Sequence, residues 1–334
     1  MHAPEPTTVT QGPPLPFPDV PAGWYHLCRS RDLRPGPVRA EVGGKAFVAF
    51  RDASGRAVTL DARCSHMRAD LSRGDVVAGR LRCPLHAWEY GGDGRCLHVP
   101  ATNDVPPFAL QTTYPTAEQG GHVSFCNAPA PPFPMPFYDG LAPDELHAAE
   151  PFEIIAQVPW YVVAANAFDL QHFRVAHDRT LVSAPAVDTP APFARRITAD
   201  YDVTGTTLRD RVTRRLSGPR VRMSVTVWGG TVVLVTARFR RTTSYGMVFV
   251  RPIDARRSLL TTIIRVPKRR SAAARALLDP ADAAVRRRFI RAFMDDDAVR
   301  ARDVGYNPAT LIDADRELRD YFAWLAGLNG HTSS

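Results

Sequence analysis

The sequence predicts an α+β chain: a small all-β domain first, then a larger domain in which an antiparallel sheet curls round a helix. Three observations predict it. From about Gly23 to Ala128 the chain is a series of brief β-branched or aromatic runs broken by Gly, Asp or Pro. Ala128-Pro-Ala-Pro-Pro-Phe-Pro-Met-Pro136 then forbids regular structure and suits a semi-rigid linker. Beyond it, Val221–Trp228, Thr231–Ala237, Tyr245–Val250 and Leu259–Val266 alternate apolar and polar residues, and long helical stretches follow.

The elements follow in order. Met1–Pro18 is rich in Pro and Thr, with neither a charged start nor an apolar centre, so it reads as a mobile arm (1–22) rather than a secretory signal. Strands are expected at Val38–Val42, Ala46–Phe50, Ala57–Leu60, Arg80–Cys83 and His122–Phe125 of a domain over 23–128. A linker (129–150) leads to a second domain over 151–330. There Glu153–Val158 reads as a strand and Pro159 opens a helical stretch. A helix from Ser271 pauses at Asp279-Pro280 and resumes from Ala283 to Met294, and a last helix covers about Leu311–Leu325.

With 334 residues and 45% hydrophobic content, the chain can bury a large core in two domains, and no apolar run is long enough to span a bilayer. Its net charge of +8 comes almost wholly from arginine, Lys45 and Lys268 being the two lysines. The positive residues are scattered and no nucleic-acid motif accompanies them, so no nucleic-acid partner is expected. Five cysteines without paired spacing suggest no disulfide framework and a reducing, cytoplasmic setting.

Two stretches carry chemistry. The first is Cys64-Ser-His66, followed after sixteen residues by Cys83-Pro-Leu-His86. One thiolate and one imidazole on each of two loops suit a [2Fe–2S] centre with Cys64 and Cys83 on one iron and His66 and His86 on the other. Zinc also accepts two Cys and two His, though its usual spacing groups like with like. A Cys64–Cys83 disulfide would leave both histidines without a role. Pro84 fixes the backbone beside a ligand, Gly91, Gly92 and Gly94 allow a tight turn, and Trp88 can cover the site or simply fill the core.

The second stretch is Asn166-Ala-Phe-Asp169-Leu-Gln-His172-Phe-Arg-Val-Ala-His177. Asp169 and His172 share a helix face. His172 and His177 are five apart, which needs a π-type turn or a helix end to bring both imidazoles to one point. Two imidazoles and a carboxylate form the facial triad of non-haem Fe(II) oxygenases.

Both stretches resemble those of Rieske non-haem iron oxygenase α subunits, and the likeness runs from about Trp24 to Trp324. The resemblance implies a Rieske [2Fe–2S] domain followed by a helix-grip (START-like) catalytic domain holding a mononuclear Fe(II). In that family an acidic residue commonly precedes the ligand Asp and an aliphatic one lies three positions after it. Within Asp295-Asp296-Asp297 this selects Asp296, because Val299 follows, with Asp297 and Asp295 as the alternatives. Asp169 would bridge a cluster histidine of one subunit to an iron-ligand histidine of its neighbour in a head-to-tail homotrimer.

No G-x-G-x-x-G dinucleotide fingerprint appears in the sequence, so electrons from NAD(P)H would arrive through a separate reductase, with or without a ferredoxin. The expected activity is O2-dependent monooxygenation of a small, largely apolar or aromatic molecule. The rival readings are a Rieske electron carrier without oxygenase activity and a zinc-stabilised binding module.

Overall fold

In the computed structural model, which describes residues 15–328, the early β-branched runs pair into three small antiparallel sheets. Trp24–Arg29, His122–Cys126 and Thr116–Gln119 form one, and Val38–Val42, Lys45–Arg51, Ala57–Asp61 and Thr113–Tyr114 the next. The third joins Asp75–Val77, Arg80–Arg82, Glu89–Tyr90 and Cys96–His98. The Val42↔Lys45 register leaves a two-residue hairpin at Gly43-Gly44, both with positive φ (55° and 76°), the turn whose twist matches the strands it joins. Val48, Phe50, Leu60, Leu71 and Leu81 pack into the core beneath the third sheet.

The second domain is built on a nine-stranded antiparallel sheet. Its main path runs from Leu146–Ala148 through Arg257–Pro267, Thr243–Asp254, Val232–Phe239, Arg220–Trp228 and Ala194–Val203 to Arg179–Leu181. Phe152–Ala156 pairs with the strand Arg257–Pro267, and Ala186–Ala191 with Ala194–Val203. Among the described residues five α-helices complete it: α1 (Trp160–Ala165), α2 (Leu170–His177), α3 (Leu208–Leu216), α4 (Ala272–Arg300) and α5 (Arg316–Gly327). α4 lies across Phe152–Ala156 and Arg257–Pro267. The core on that face gathers Ile154, Val248, Leu260, Ile264 and, from α5, Phe322 and Leu325.

Period-two patterning predicts one solvated sheet face, and the central strands depart from it. Nine consecutive residues of Arg257–Pro267 are buried. The reason is that the opposite face is covered too: Trp24 and Cys126 of the first domain and Phe133 and Tyr138 of the proline-rich segment pack on Val232, Phe249 and Ile263. Residues expected as a linker are thus part of the core, and Leu146–Ala148 forms an edge strand. Arg265 is carried into this seam, 1% exposed, with its guanidinium over the Phe137 ring.

Two further expectations are corrected. The arm is anchored over its last residues: Phe17 is buried against Tyr161, Tyr306 and Phe322, and Trp160 donates its indole N–H to the Pro18 carbonyl at 2.9 Å. Most of the arm, residues 1–14, lies outside the described residues, as do 329–334. α4 is one helix of 29 residues running through Pro280 rather than two. Buried Asp279 accepts from the Arg269 backbone N–H and guanidinium, which ties the helix to the end of the last strand where proline removes a backbone donor.

Candidate metal centres

Two loops, one leading from Ala57–Asp61 into the third small sheet and one between its strands Arg80–Arg82 and Glu89–Tyr90, have the same backbone design. The Cys64 N–H donates to the Ala69 carbonyl and the Arg68 N–H to the Cys64 carbonyl, both at 2.9 Å; the Cys83 N–H donates to the Trp88 carbonyl (2.8 Å) and the Ala87 N–H to the Cys83 carbonyl (3.1 Å). Four residues after each cysteine stands a non-glycine residue in the left-handed region, Arg68 at φ 59° and Ala87 at φ 56°. Such conformations cost energy and gather at functional sites. The repeat presents Cys64-Ser-His66 and Cys83-Pro-Leu-His86 as a matched pair.

Both thiols are buried and free of disulfides, whereas both imidazoles are exposed. Their rings meet edge-on at 4.7 Å, and Trp88 stacks on His66 at 4.4 Å with planes 4° apart. Burial pushes the Cys64 thiol up, while hydrogen bonds from the Tyr90 hydroxyl and the His66 backbone oppose it. Tyr90 and Ser65, which sequence reasoning missed, bring hydroxyls together here: Tyr90 Oη lies 3.1 Å from Cys64 Sγ and 3.0 Å from Ser65 Oγ. The signal was available, since Tyr90 stands two residues after Trp88, at the same alternation that turns Trp88 to the site. Gly94 (φ 83°) makes the turn beyond, where a Cβ would strike the Gln111 carbonyl. Two inward thiols and two outward imidazoles fit the Cys2His2 donor set of a Rieske cluster.

In the second domain, Pro159 opens α1, which tightens into a 3-10 turn at Asn166–Phe168. Asp169 caps α2 by accepting from the His172 N–H at 2.9 Å. His177 is the last residue of that helix, and Asp178 leaves it in the left-handed conformation. A helix end, not a π-turn, therefore brings the residues five apart together. The two Nε2 atoms are 3.0 Å from each other.

The carboxylate that meets them is Asp297. Its Oδ1 lies 2.7 Å from His177 Nε2 and 3.0 Å from His172 Nε2. Asp296, the expected ligand, is 52% exposed on the adjacent flank of α4 and pairs with Arg209; Asp295 is also exposed and pairs with Arg291. Residues in one helix turn point in directions about 100° apart, so only one of three consecutive aspartates can face α2. Burial pushes the Asp297 carboxyl up, but hydrogen bonds with His172 and His177 and electrostatic attraction to them outweigh it and hold the carboxyl below its usual range.

Donors 2.7–3.0 Å apart match neighbouring corners of an octahedron with arms of about 2.1 Å, so these residues fit a mononuclear divalent metal with open positions. Phe293 stacks on His177, and Asn166 Nδ2 stands 3.4 Å from both His172 Nε2 and Asp297 Oδ2. Beside the triad opens a cavity of about 320 Å³, walled chiefly by apolar side chains such as Val162, Leu260, Met294 and Leu311, with Asn166, Asp169, His172 and Asp297 at its polar end.

The family model of the Rieske [2Fe–2S] domain matches residues 23–109. The chain carries a Rieske domain and is related to the oxygenases that share it. Aminopyrrolnitrin oxygenase PrnD of Pseudomonas fluorescens is 35% identical over 167 residues, 47% of this chain and 46% of that protein. A 3-ketosteroid-9-alpha-monooxygenase oxygenase component of Rhodococcus rhodochrous is 39% identical over 108 residues, 32% and 28% of the two chains. The chain thus spans less than half the length of these curated relatives in sequence. In fold the likeness to solved structures is longer. An NdmA variant of Pseudomonas putida CBB5 with theobromine superposes with a TM-score of 0.71 at 18% identity, covering 93% of this chain and 91% of that one. Dicamba monooxygenase bound to dicamba superposes at 0.65 and 16% identity, covering 92% and 98%.

Proposed function

We propose that the chain is the terminal oxygenase of a multicomponent system that monooxygenates a small, largely apolar or aromatic molecule. The observation that carries this reading is the His172, His177 and Asp297 constellation beside an apolar cavity, in a chain that also carries a Rieske domain. Cys64 and Cys83 would hold one iron of the cluster, His66 and His86 the other, and the triad a mononuclear Fe(II). When bound, the cluster relays electrons one at a time and the mononuclear iron activates O2 in its open positions.

The residues of the chain supply the setting. His66 and His86 put exposed imidazole edges at the molecular surface, where an electron donor can approach. That donor is a separate NAD(P)H-dependent reductase, with or without a ferredoxin. Asp169 fixes the first turn of α2 and so the His172 backbone, while the amide of Asn166 reaches both His172 and Asp297. The apolar wall keeps water from the reacting substrate and orients it by shape. At about 320 Å³ the cavity stands at the lower end of the ~300–1,000 Å³ usual for small-molecule sites, which favours one- or two-ring substrates.

Exposed Met67, Leu85, Leu97, Phe108 and Leu110 make the cluster end of the first domain apolar. Such a patch suits the neighbour in a homotrimer, where Asp169 would link the cluster of one subunit to the iron of the next. Five unpaired cysteines suit a cytoplasmic setting, and among the described residues no helix is long and apolar enough to cross a membrane.

The test is metal and sulfide analysis of anaerobically purified protein, followed by turnover of a panel of small aromatics under 18O2 with a surrogate reductase. About three irons for two acid-labile sulfides and label in the product are expected. Two irons for two sulfides would leave an electron carrier, and zinc without sulfide a binding module.

A further inference from the structure

Behind the two imidazoles lies a buried ion pair that the metal site does not use directly. Where α2 ends at His177, the chain turns back through Asp178 (φ 51°, ψ 46°) into the strand Arg179–Leu181. Arg179 folds its guanidinium over that end. Its Nη1 donates to the carbonyls of His177 (2.8 Å) and Asp178 (3.3 Å) and to Asp210 Oδ1 (2.9 Å). The last carbonyls of a helix lack partners and carry its negative end, so the guanidinium satisfies both needs at the residue that matters.

Asp210 is itself held. It sits in the first turn of α3, where the Thr207 hydroxyl donates to its Oδ2 at 2.5 Å and accepts from its backbone N–H. Gly205 passes so close that a Cβ there would strike Asp210 Oδ2. Arg179 and Asp210 are 8% and 6% exposed.

α3 is held chiefly by polar contacts: besides Asp210, its Arg214 donates to the carbonyls of Val203 and Gly205. Its buried residues are Asp210 and Thr213, both polar, while Leu208, Val212 and Leu216 face solvent. Nine residues are too few to be helical on propensity alone, and buried ion pairs rarely add net stability over apolar replacements. The same helix reaches the other arm of the site, because Arg209 donates to Asp296, next to Asp297, at 3.1 Å. What the arrangement secures is the position of the metal ligands.

We propose that Arg179 and Asp210 are positioning residues for the mononuclear metal: the pair locks the end of α2 and thereby the direction of the His177 imidazole. This rests on the metal-site reading above. A second layer that orients a ligand imidazole commonly governs metal affinity by about 10–100-fold.

The test uses full-length protein with the cluster in place. The double variant Arg179→Met/Asp210→Leu replaces the pair by apolar side chains, which preserves the fold better than breaking one partner. Fe(II) affinity is measured by anaerobic equilibrium dialysis, and the symmetry of the site by the EPR line shape of its nitric oxide adduct. The variant is expected to keep the Rieske absorption spectrum, to bind Fe(II) about 10–100-fold more weakly and to show an altered line shape, with Arg179→Lys between it and wild type. A folded double variant with wild-type affinity and line shape overturns the positioning role alone. Wild-type protein that takes up no Fe(II) overturns the metal reading and this proposal together. If the double variant fails to fold, Arg179→Lys, which keeps the charge pair but not the fork over the helix end, is put through the same two measurements and decides in the same sense.

Discussion

Tyr90 places its hydroxyl 3.1 Å from the sulfur of Cys64, at the buried side of the two-loop site. Burial pushes that hydroxyl up, so it remains a protonated donor at any working pH. A donor to sulfur stabilises the more negative, reduced cluster. Tyr90→Phe is therefore expected to lower the reduction potential by roughly 20–60 mV, the one-electron equivalent of a ~0.5–1.5 kcal/mol hydrogen bond. Iron and sulfide content should not change. Redox titration followed by EPR checks it, and an unmoved potential would remove Tyr90 from the site.

Asp297 and Asp296 are neighbours with opposite expected behaviour. Asp297→Ala should empty the mononuclear site and leave the cluster, lowering iron to about the level of sulfide. Asp296→Ala removes an ion pair between partly exposed side chains, worth about 0–1 kcal/mol, and should keep all its iron. Metal analysis of the two variants side by side decides, and the reverse pattern would restore Asp296 as the ligand.

Why the sequence pointed one residue short is a matter of helix phase. Val299 selects Asp296, but Val299 is 77% exposed, so the direction it shares with Asp296, three residues before, faces solvent. Ile290, Phe293 and Met294 turn toward the core and the histidines, and Asp297 continues their face at spacings of seven, four and three. The two loops that each carry a cysteine and a histidine, and the paired histidines of α2, were legible because each group is local in sequence. The Arg179–Asp210 pair was not, because its partners are 31 residues apart and meet only through the sheet. Nor could a period-two pattern show that linker and first domain cover the outer face of the large sheet.

Asp169 caps α2, a role that asparagine fills equally well. Asp169→Asn is thus expected to retain the fold, the cluster and the Fe(II). If the carboxylate carries electron transfer between subunits, turnover should fall by roughly 10–100-fold with both metals still bound. Wild-type turnover in the metal-loaded variant would leave Asp169 a cap and nothing more.

His26 and His122 meet at 3.2 Å in the seam between the domains. Burial, with the charges of Arg265 and Arg251, lowers His26 to about 4; burial, with His26 and Arg265, lowers His122 to about 3. In the unfolded chain both titrate near 6.5. Folded-state values below unfolded ones mean that stability is complete above about pH 6.5 and is lost as pH falls toward 4, by up to ~1.4 kcal/mol per pH unit for each group. Thermal unfolding between about pH 7.5 and 5 should show this decline, and it should be shallower in His26→Gln/His122→Gln. Equal slopes in the two proteins would place the acid sensitivity elsewhere.

Phe17 links the N-terminal segment to the cavity beside His172 and Asp297. Its ring stacks on Tyr161 at 4.4 Å and meets Tyr306 at 5.5 Å and Phe322 at 6.0 Å, and the last two also line the cavity. Phe17→Ala removes a buried aromatic side chain, a loss of about 3–5 kcal/mol that should lower Tm by several degrees. The cluster lies in the other domain, so its spectrum and potential should stay as they are. The loosened wall should instead raise KM for a turned-over aromatic substrate more than it lowers kcat. An unchanged Tm would show that the segment only rests on the second domain, and a shifted potential with unchanged KM would assign its effect to the first.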